Sequence, residues 1–218
     1  MKEVQDHWFR LAKERGYRAR SAFKLLELQE RHKLIHRGDR ILDAGAAPGS
    51  WTQVAADIVG QRGRVEAVDF KLIDPRGLPP HVGLHQADLR TISSETLGGH
   101  LFNAIISDMA PDTSGVPMAD AAISCRLCNE LLDRCRALLR PSGNLLMKVF
   151  EGADYPELLR RTTGLFNKAG ACKPKASRAE SVEMFIWAKG FRGVNDADVA
   201  DAPHIRPPPG AGWSSSSR

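Results

Sequence analysis

Residues 42–51 read Leu42-Asp43-Ala44-Gly45-Ala46-Ala47-Pro48-Gly49-Ser50-Trp51, and this stretch decides the fold. A short apolar run over residues 40–43 enters it and a helical pattern over 51–59 leaves it. Strand, glycine turn and helix in that order open an α/β unit. Its glycines let a ligand approach the backbone at the carboxyl edge of a sheet. The turn reads D-x-G-x-x-P-G, not the G-x-G-x-x-G of a dinucleotide fingerprint. An acid at the strand end, Asp43, repels a pyrophosphate and suits a cationic or neutral ligand.

The same alternation continues outward. Further strands are predicted at 64–69, 82–86, 102–107, 144–149 and 184–188, and helices at 118–139 and 155–168. In the longer helix Ile123, Leu127, Leu131, Cys135 and Leu138 keep to one face. Strand–helix alternation predicts a mostly parallel α/β sheet with helices on both faces. Residues 170–175 and 184–188 are joined by a polar loop without a helix, which predicts an antiparallel hairpin at the sheet edge. Residues 1–38 read as a basic helical segment ahead of the sheet, with Ala22, Leu25, Leu26 and Gln29 at helical spacing. One domain is expected over residues 1–193. The Pro- and Ser-rich stretch 194–218 cannot bury enough surface to offset its ordering entropy and is expected to be a flexible tail.

Composition narrows the class. The 218 residues are 42% hydrophobic and 26% charged, as in soluble globular proteins, and no apolar run nears the ~20 residues that span a bilayer. No secretory h-region follows Met1. The net charge of +5 is concentrated near the N-terminus, in Arg10, Lys13, Arg15, Arg18, Arg20 and Lys24. Such a run serves either as a solvated helical face or as a grip on a polyanion. The Cys125-x-x-Cys128 pair shares a helix with Cys135, and no second pair or nearby histidine completes a zinc site. No metal is expected, and the thiols read as reduced, semi-buried core residues.

Two further acids end strands on the edge that carries the glycine turn. Asp69 is placed to accept from ribose hydroxyls, and Asp88 to meet an adenine amino group. S-adenosylmethionine, with a sulfonium, an ammonium and an adenosine, matches this set better than a nicotinamide dinucleotide does. The fourth strand ends in Ser107-Asp108-Met109-Ala110-Pro111, and the fifth carries Met147-Lys148-Val149-Phe150. A lysine inside an apolar strand is costly to bury unless it is paired or snorkels at the strand end. Desolvation and neighbouring cations lower a lysine's pKa and fit it to accept a proton. Lys24 would supply such a cation, while Glu183 and Asp108 would orient the ammonium.

The sequence resembles the FtsJ family of ribosomal RNA ribose 2′-O-methyltransferases. The matching stretches are 16–25 (Gly-Tyr-Arg-Ala-Arg-Ser-Ala-Phe-Lys-Leu), 42–51, 107–111, 148–150 and 175–183, in the family's order. The resemblance implies a Rossmann-like S-adenosylmethionine-dependent methyltransferase fold with a seven-stranded sheet. It implies Lys24, Asp108, Lys148 and Glu183 as a catalytic tetrad with Lys148 as general base. Asp43, Gly45, Pro48, Gly49, Trp51, Asp69, Asp88 and Asp108 would line the cofactor site, and Arg18, Arg20 and Lys24 would contact RNA. The implied substrate is a ribose 2′-hydroxyl, a uridine's, in large-subunit ribosomal RNA. The protein would act as a monomer on ribosomal RNA or the large subunit, away from membranes, in a bacterial cytoplasm or in a mitochondrion or other organelle. Ser50 and Asp112 depart from the family's usual glycine and asparagine. A transfer RNA methyltransferase, a nicotinamide oxidoreductase and a non-catalytic ribosome-assembly factor are the competing readings.

Overall fold

The computed structural model describes residues 2–177 and 181–193, with side chains from His7 onward. The tail expected at 194–218 lies outside the described residues, as does the 178–180 part of the last matching stretch. Two helices, α1 (Lys2–Glu14) and α2 (Ser21–His32), precede the sheet. The alternating part runs β1 (Arg40–Ala44), α3 (Ser50–Val59), β2 (Arg64–Asp69), β3 (Val82–Gln86), β4 (Phe102–Ser107), α4 (Pro117–Leu138) and β5 (Leu139–Phe150). It is completed by α5 (Tyr155–Leu165), β6 (Phe166–Cys172) and β7 (Glu183–Phe191).

The seven strands lie in the order β3-β2-β1-β4-β5-β7-β6. All neighbours are parallel except β7, which is antiparallel to both β5 and β6. Period-two alternation along each strand divides the core in two. Leu42, Ile105, Leu145, Met147, Val149 and Ile186 face α4 and α5. The residues beside them, Ile41, Ala104, Ile106, Leu146 and Phe185, face α2 and α3. Cys125, Cys128 and Cys135 are buried free thiols of the α4 face, and the Cys128 thiol donates to the Lys148 carbonyl at 3.1 Å. Burial pushes the Cys135 thiol up to about 12, which makes it inert.

Two boundaries differ from the sequence reading. The helix expected to reach 168 stops at Leu165, because Phe166 turns into the core against Phe191, 5.3 Å between ring centroids. Strand β6 therefore covers Phe166–Cys172 instead of 170–175. Strand β5 starts at Leu139, not at 144. The turn-like Arg140-Pro141-Ser142-Gly143 stays in the ladder as an irregularity, with Ser142 at φ +63° and the pairing stepping from Phe102↔Leu139 to Ala104↔Asn144.

Away from the carboxyl edge, Glu66 on β2 is 3% exposed and sits among cations. Its carboxylate lies 3.0 Å from Arg40, 2.8 Å from Arg64 and 2.8 Å from His85 Nε2. Burial pushes the Glu66 carboxyl up, but hydrogen bonds from Arg64 and His85 and the Arg40 charge outweigh burial and hold it below its ordinary 4.5. Folding thus favours the ionised form. Its stabilisation is present above the unfolded pKa and is lost as pH falls through the lower folded value. Glu66→Gln should cost about 1–2 kcal/mol at pH 7, since it removes the buried charge that half-buried Arg40 and Arg64 are paired with. Urea unfolding at pH 7, 5 and 3 checks this, with a wild-type advantage that shrinks toward pH 3.

Candidate active site

Strand order reverses between β1 and β4, and the carboxyl edge at such a reversal is where open α/β sheets form a ligand crevice. The backbone comes very close here. Gly45 has φ +74°, and a Cβ on it would stand 2.3 Å from Met109 Cγ and 3.0 Å from Met109 Cα. Glycine is required at Gly45 by conformation and by space alike. The turn contains a cis Ala47–Pro48 peptide and passes to α3 through Gly49, φ +105°.

Each acid of the sequence reading lies on this rim. Asp43 ends β1 fully buried. One carboxylate oxygen accepts from the Thr52 hydroxyl at 2.7 Å, and the other, Oδ1, has no partner. Burial, together with the nearby Asp108 and Asp69 carboxylates and against the Thr52 hydrogen bond, raises the Asp43 carboxyl to about 7. Asp69 ties two loops, accepting from the Ala47 N–H at 2.9 Å and the Lys71 N–H at 2.8 Å. Asp88 pairs with the Arg90 guanidinium, whose hydrogen bonds hold its carboxyl low. A crevice with clustered acids and an orphaned buried carboxylate oxygen fits a cationic ligand, and the exposed Phe70 and Leu72 beside Asp69 add an apolar wall.

The four polar residues separated in sequence converge beside the crevice. Lys24 and Lys148 are 5% and 6% exposed. Lys24 Nζ lies 2.7 Å from Glu183 Oε2 and 5.6 Å from the centroid of the Phe185 ring. Lys148 Nζ lies 2.8 Å from Asp108 Oδ1 and 4.0 Å from Glu183 Oε1, and it donates to the Asp108 carbonyl at 2.8 Å. Glu183 thus stands between the two ammonium groups. Burial raises its carboxyl, but the two lysines and the Ser181 hydroxyl bring it below its ordinary value. The register explains the convergence. Lys148 pairs with Phe185 and Phe150 with Glu183, so Lys148 and Glu183 share the sheet face that α2 covers.

Other expected residues take supporting positions. Trp51 is buried, donates its indole N–H to the Ser21 carbonyl at 2.9 Å and stacks on Phe185, so it locks α3 to α2. Arg18, expected on RNA, directs its guanidinium to the Pro48 carbonyl (2.8 Å) and the Arg76 carbonyl (2.6 Å) and braces the glycine turn. Arg20 occupies the N-cap position of α2. The sequence reading missed Thr52 and Gln53. Thr52 stands in the first turn of α3, from where its hydroxyl reaches Asp43. Gln53 accepts from the Arg18 N–H (3.0 Å) and donates to the Gly16 carbonyl (3.0 Å), pinning the basic segment to α3 with no sequence signal. Among the described residues no group of three or more His, Cys, Asp or Glu side chains could hold a metal. No helix among them is long and apolar enough to cross a membrane.

This sheet order with an antiparallel seventh strand is the architecture of Rossmann-like S-adenosylmethionine-dependent methyltransferases. A solved S-adenosylmethionine-dependent O-methyltransferase from Thermotoga maritima shares it, at TM-score 0.55 and 20% identity over 80% of this chain and 66% of that one. The model of the FtsJ-like methyltransferase family matches residues 17–191, and the chain belongs to that family. A ribosomal RNA large subunit methyltransferase E of Chromobacterium violaceum is 42% identical over 194 residues, 87% of this chain and 93% of the relative. The protein of the same name from Nitratidesulfovibrio vulgaris (strain Hildenborough) is 42% identical over 206 residues, 91% of this chain and 99% of the relative. A ribosomal RNA methyltransferase structure described as putative, from Plasmodium falciparum, superposes at TM-score 0.71 and 26% identity, covering 82% of this chain and all of that one.

The raised Asp43 carboxyl has two consequences of opposite sign. Ionising it in the folded state is unfavourable, so it destabilises the ligand-free protein progressively from pH 4 to about 7. Asp43→Asn should raise the melting temperature of the ligand-free protein at pH 8, by an amount that shrinks toward pH 5. It should also weaken binding of a cationic ligand at least about tenfold. Melting curves at the two pH values and equilibrium dialysis of S-adenosylmethionine check the pair.

Proposed function

We propose that this protein methylates a ribose 2′-hydroxyl, a uridine's, in large-subunit ribosomal RNA, using S-adenosylmethionine and acting as a monomer. The observation that carries the reading is the pair of buried lysines bridged by Glu183 beside an acidic crevice. A nicotinamide oxidoreductase or a pure RNA binder has no requirement for it. The names of the bacterial relatives support the ribosomal substrate and a bacterial cytoplasmic setting.

S-adenosylmethionine, when bound, supplies an electrophilic methyl whose departure leaves a neutral thioether, so the protein's tasks are positioning and proton removal. Asp43 and Asp69 would hold its ammonium and ribose. Asp88 would meet its adenine, and the glycine turn at Gly45, Pro48 and Gly49 would admit it to the backbone. Asp108 and Glu183 fix the Lys148 ammonium nitrogen at the crevice mouth. A ribose placed there directs its 2′-oxygen at the methyl group. Lys148 Nζ, once it has released its ammonium proton to water, would accept the 2′-hydroxyl proton as the oxygen is methylated. Lys24 holds Glu183 in place, and the Arg18–Arg20 segment contacts phosphates without reading sequence.

Two variants of Lys148 separate base from anchor. Lys148→Ala should abolish transfer of labelled methyl to unmethylated large-subunit RNA. Lys148→Arg keeps the ion pairs but cannot accept a proton, and should lower the single-turnover rate at least ~100-fold with cofactor affinity retained. A fast Lys148→Arg enzyme would sink the base role. Wild-type transfer to transfer RNA alone would replace the substrate, and no transfer to any RNA would leave an assembly factor.

A further inference from the structure

A cavity of about 260 Å³ opens just past the ends of β5 and β7, with Glu151 directly after Phe150 and Val182 directly before Glu183. Its lining includes Met118, Ala121 and Ala122 from the start of α4, Val182 just before β7, and Glu151 and Asp154 after β5. Glu151 and Val182 are joined by the Glu151 N–H on the Val182 carbonyl at 2.8 Å, directly after the Phe150↔Glu183 pair. Met118 is 79% exposed, with Val116 and Val182 exposed beside it, which is unusual for large apolar side chains packed around one cavity. The loop leading into α4, which carries Val116, is held by Asp120, whose carboxylate accepts from the Ser114 N–H and hydroxyl at 2.8 Å each.

The position of the cavity across the sheet points to its occupant. Lys148 and Glu183 share the α2 face, where the basic segment also lies. The cavity lies against α4, on the other face. A nucleotide has its ribose between phosphate and base, so one lying over the tetrad with its phosphate toward α2 would deliver its base to the α4 side. The chemistry agrees. Met118 and Val182 offer apolar surface for a base plane, while Glu151 and Asp154 accept N–H groups from a base edge and repel a phosphate.

Resting on the 2′-O-methyltransferase reading above, we propose that this cavity receives the nucleobase of the acceptor nucleotide, turned out of its stack. It is a specificity site for the RNA, distinct from the cofactor crevice. Capture of the base there holds the ribose over Lys148.

Ala122 is exposed on α4, so Ala122→Trp fills the cavity without disturbing the core. It should lower kcat/KM for protein-free large-subunit rRNA about tenfold or more, with the melting temperature and S-adenosylmethionine dissociation constant unchanged. Met118→Ser, equally harmless to folding, should raise KM severalfold by removing the stacking surface. Unchanged kinetics in both variants would overturn the proposal. So would a defect seen with assembled particles and absent with protein-free rRNA, which would make the cavity a seat for a ribosomal protein. Wild-type protein that transfers no methyl to any RNA would instead remove the parent reading, and this one with it.

Discussion

Two ammonium groups buried at one edge of a sheet must be neutralised there, and this constraint organises the molecule. A buried charge with no partner costs several kcal/mol. Lys24 meets its partner Glu183 across 159 residues of sequence, and Lys148 meets Asp108 across 40. The first pair cannot form until α2 has docked on the sheet and β7 has inserted antiparallel between β5 and β6, and the second needs β5 paired beside β4. The antiparallel insertion is therefore chemical as well as architectural. It brings the start of β7, which carries Glu183, to the carboxyl end of β5, which carries Lys148.

The architecture was legible because hydrophobic periodicity and glycine placement are local signals. The glycine turn and the five parallel strands stand where residues 40–149 put them, and the expected antiparallel hairpin closes the sheet edge with its first strand four residues earlier than read. The mistakes fall where tertiary packing overrides local pattern. Phe166 continues a helical pattern, yet the core takes it into β6. Arg140-Pro141-Ser142-Gly143 has turn chemistry but interrupts the strand without ending it, because β4 offers Phe102 as a partner for Leu139 before the break and Ala104 for Asn144 after it. The candidate tetrad was readable only as four residues within matching motifs, since no local property of Glu183 announces that two lysines flank it. Supporting contacts such as Gln53 to Gly16 connect distant backbone groups and leave no trace in composition or spacing.

The crevice shows how a binding site and stability oppose each other. Asp43, Asp69 and Asp108 crowd negative charge into a place where Asp43 cannot reach solvent, and Asp43 Oδ1 finds no donor in the protein. A fold selected for stability alone would have a neutral residue there. Thr52 offsets part of the cost with one hydrogen bond, and the rest is compensation a bound cation can supply. Arg18 belongs to the same logic. Its guanidinium bonds to the Pro48 carbonyl, so the segment expected to meet RNA also shapes the glycine turn. Displacement of Arg18 by a phosphate would loosen that turn, which couples the two halves of the site through a single side chain.

The alternation of strand residues gives the two faces of the sheet different work. The α2 face carries the basic segment and both lysines, and the α4 face carries thiols, aliphatic side chains and the acid-rimmed cavity. Electrostatics alone would draw a polyanion to the first face and keep it off the second. A base, uncharged and flat, is the part of a nucleotide that could cross to the α4 side, which would leave the ribose at the edge between them. On the proposed reading the chemistry would sit where the sheet ends, because there both faces could meet one nucleotide.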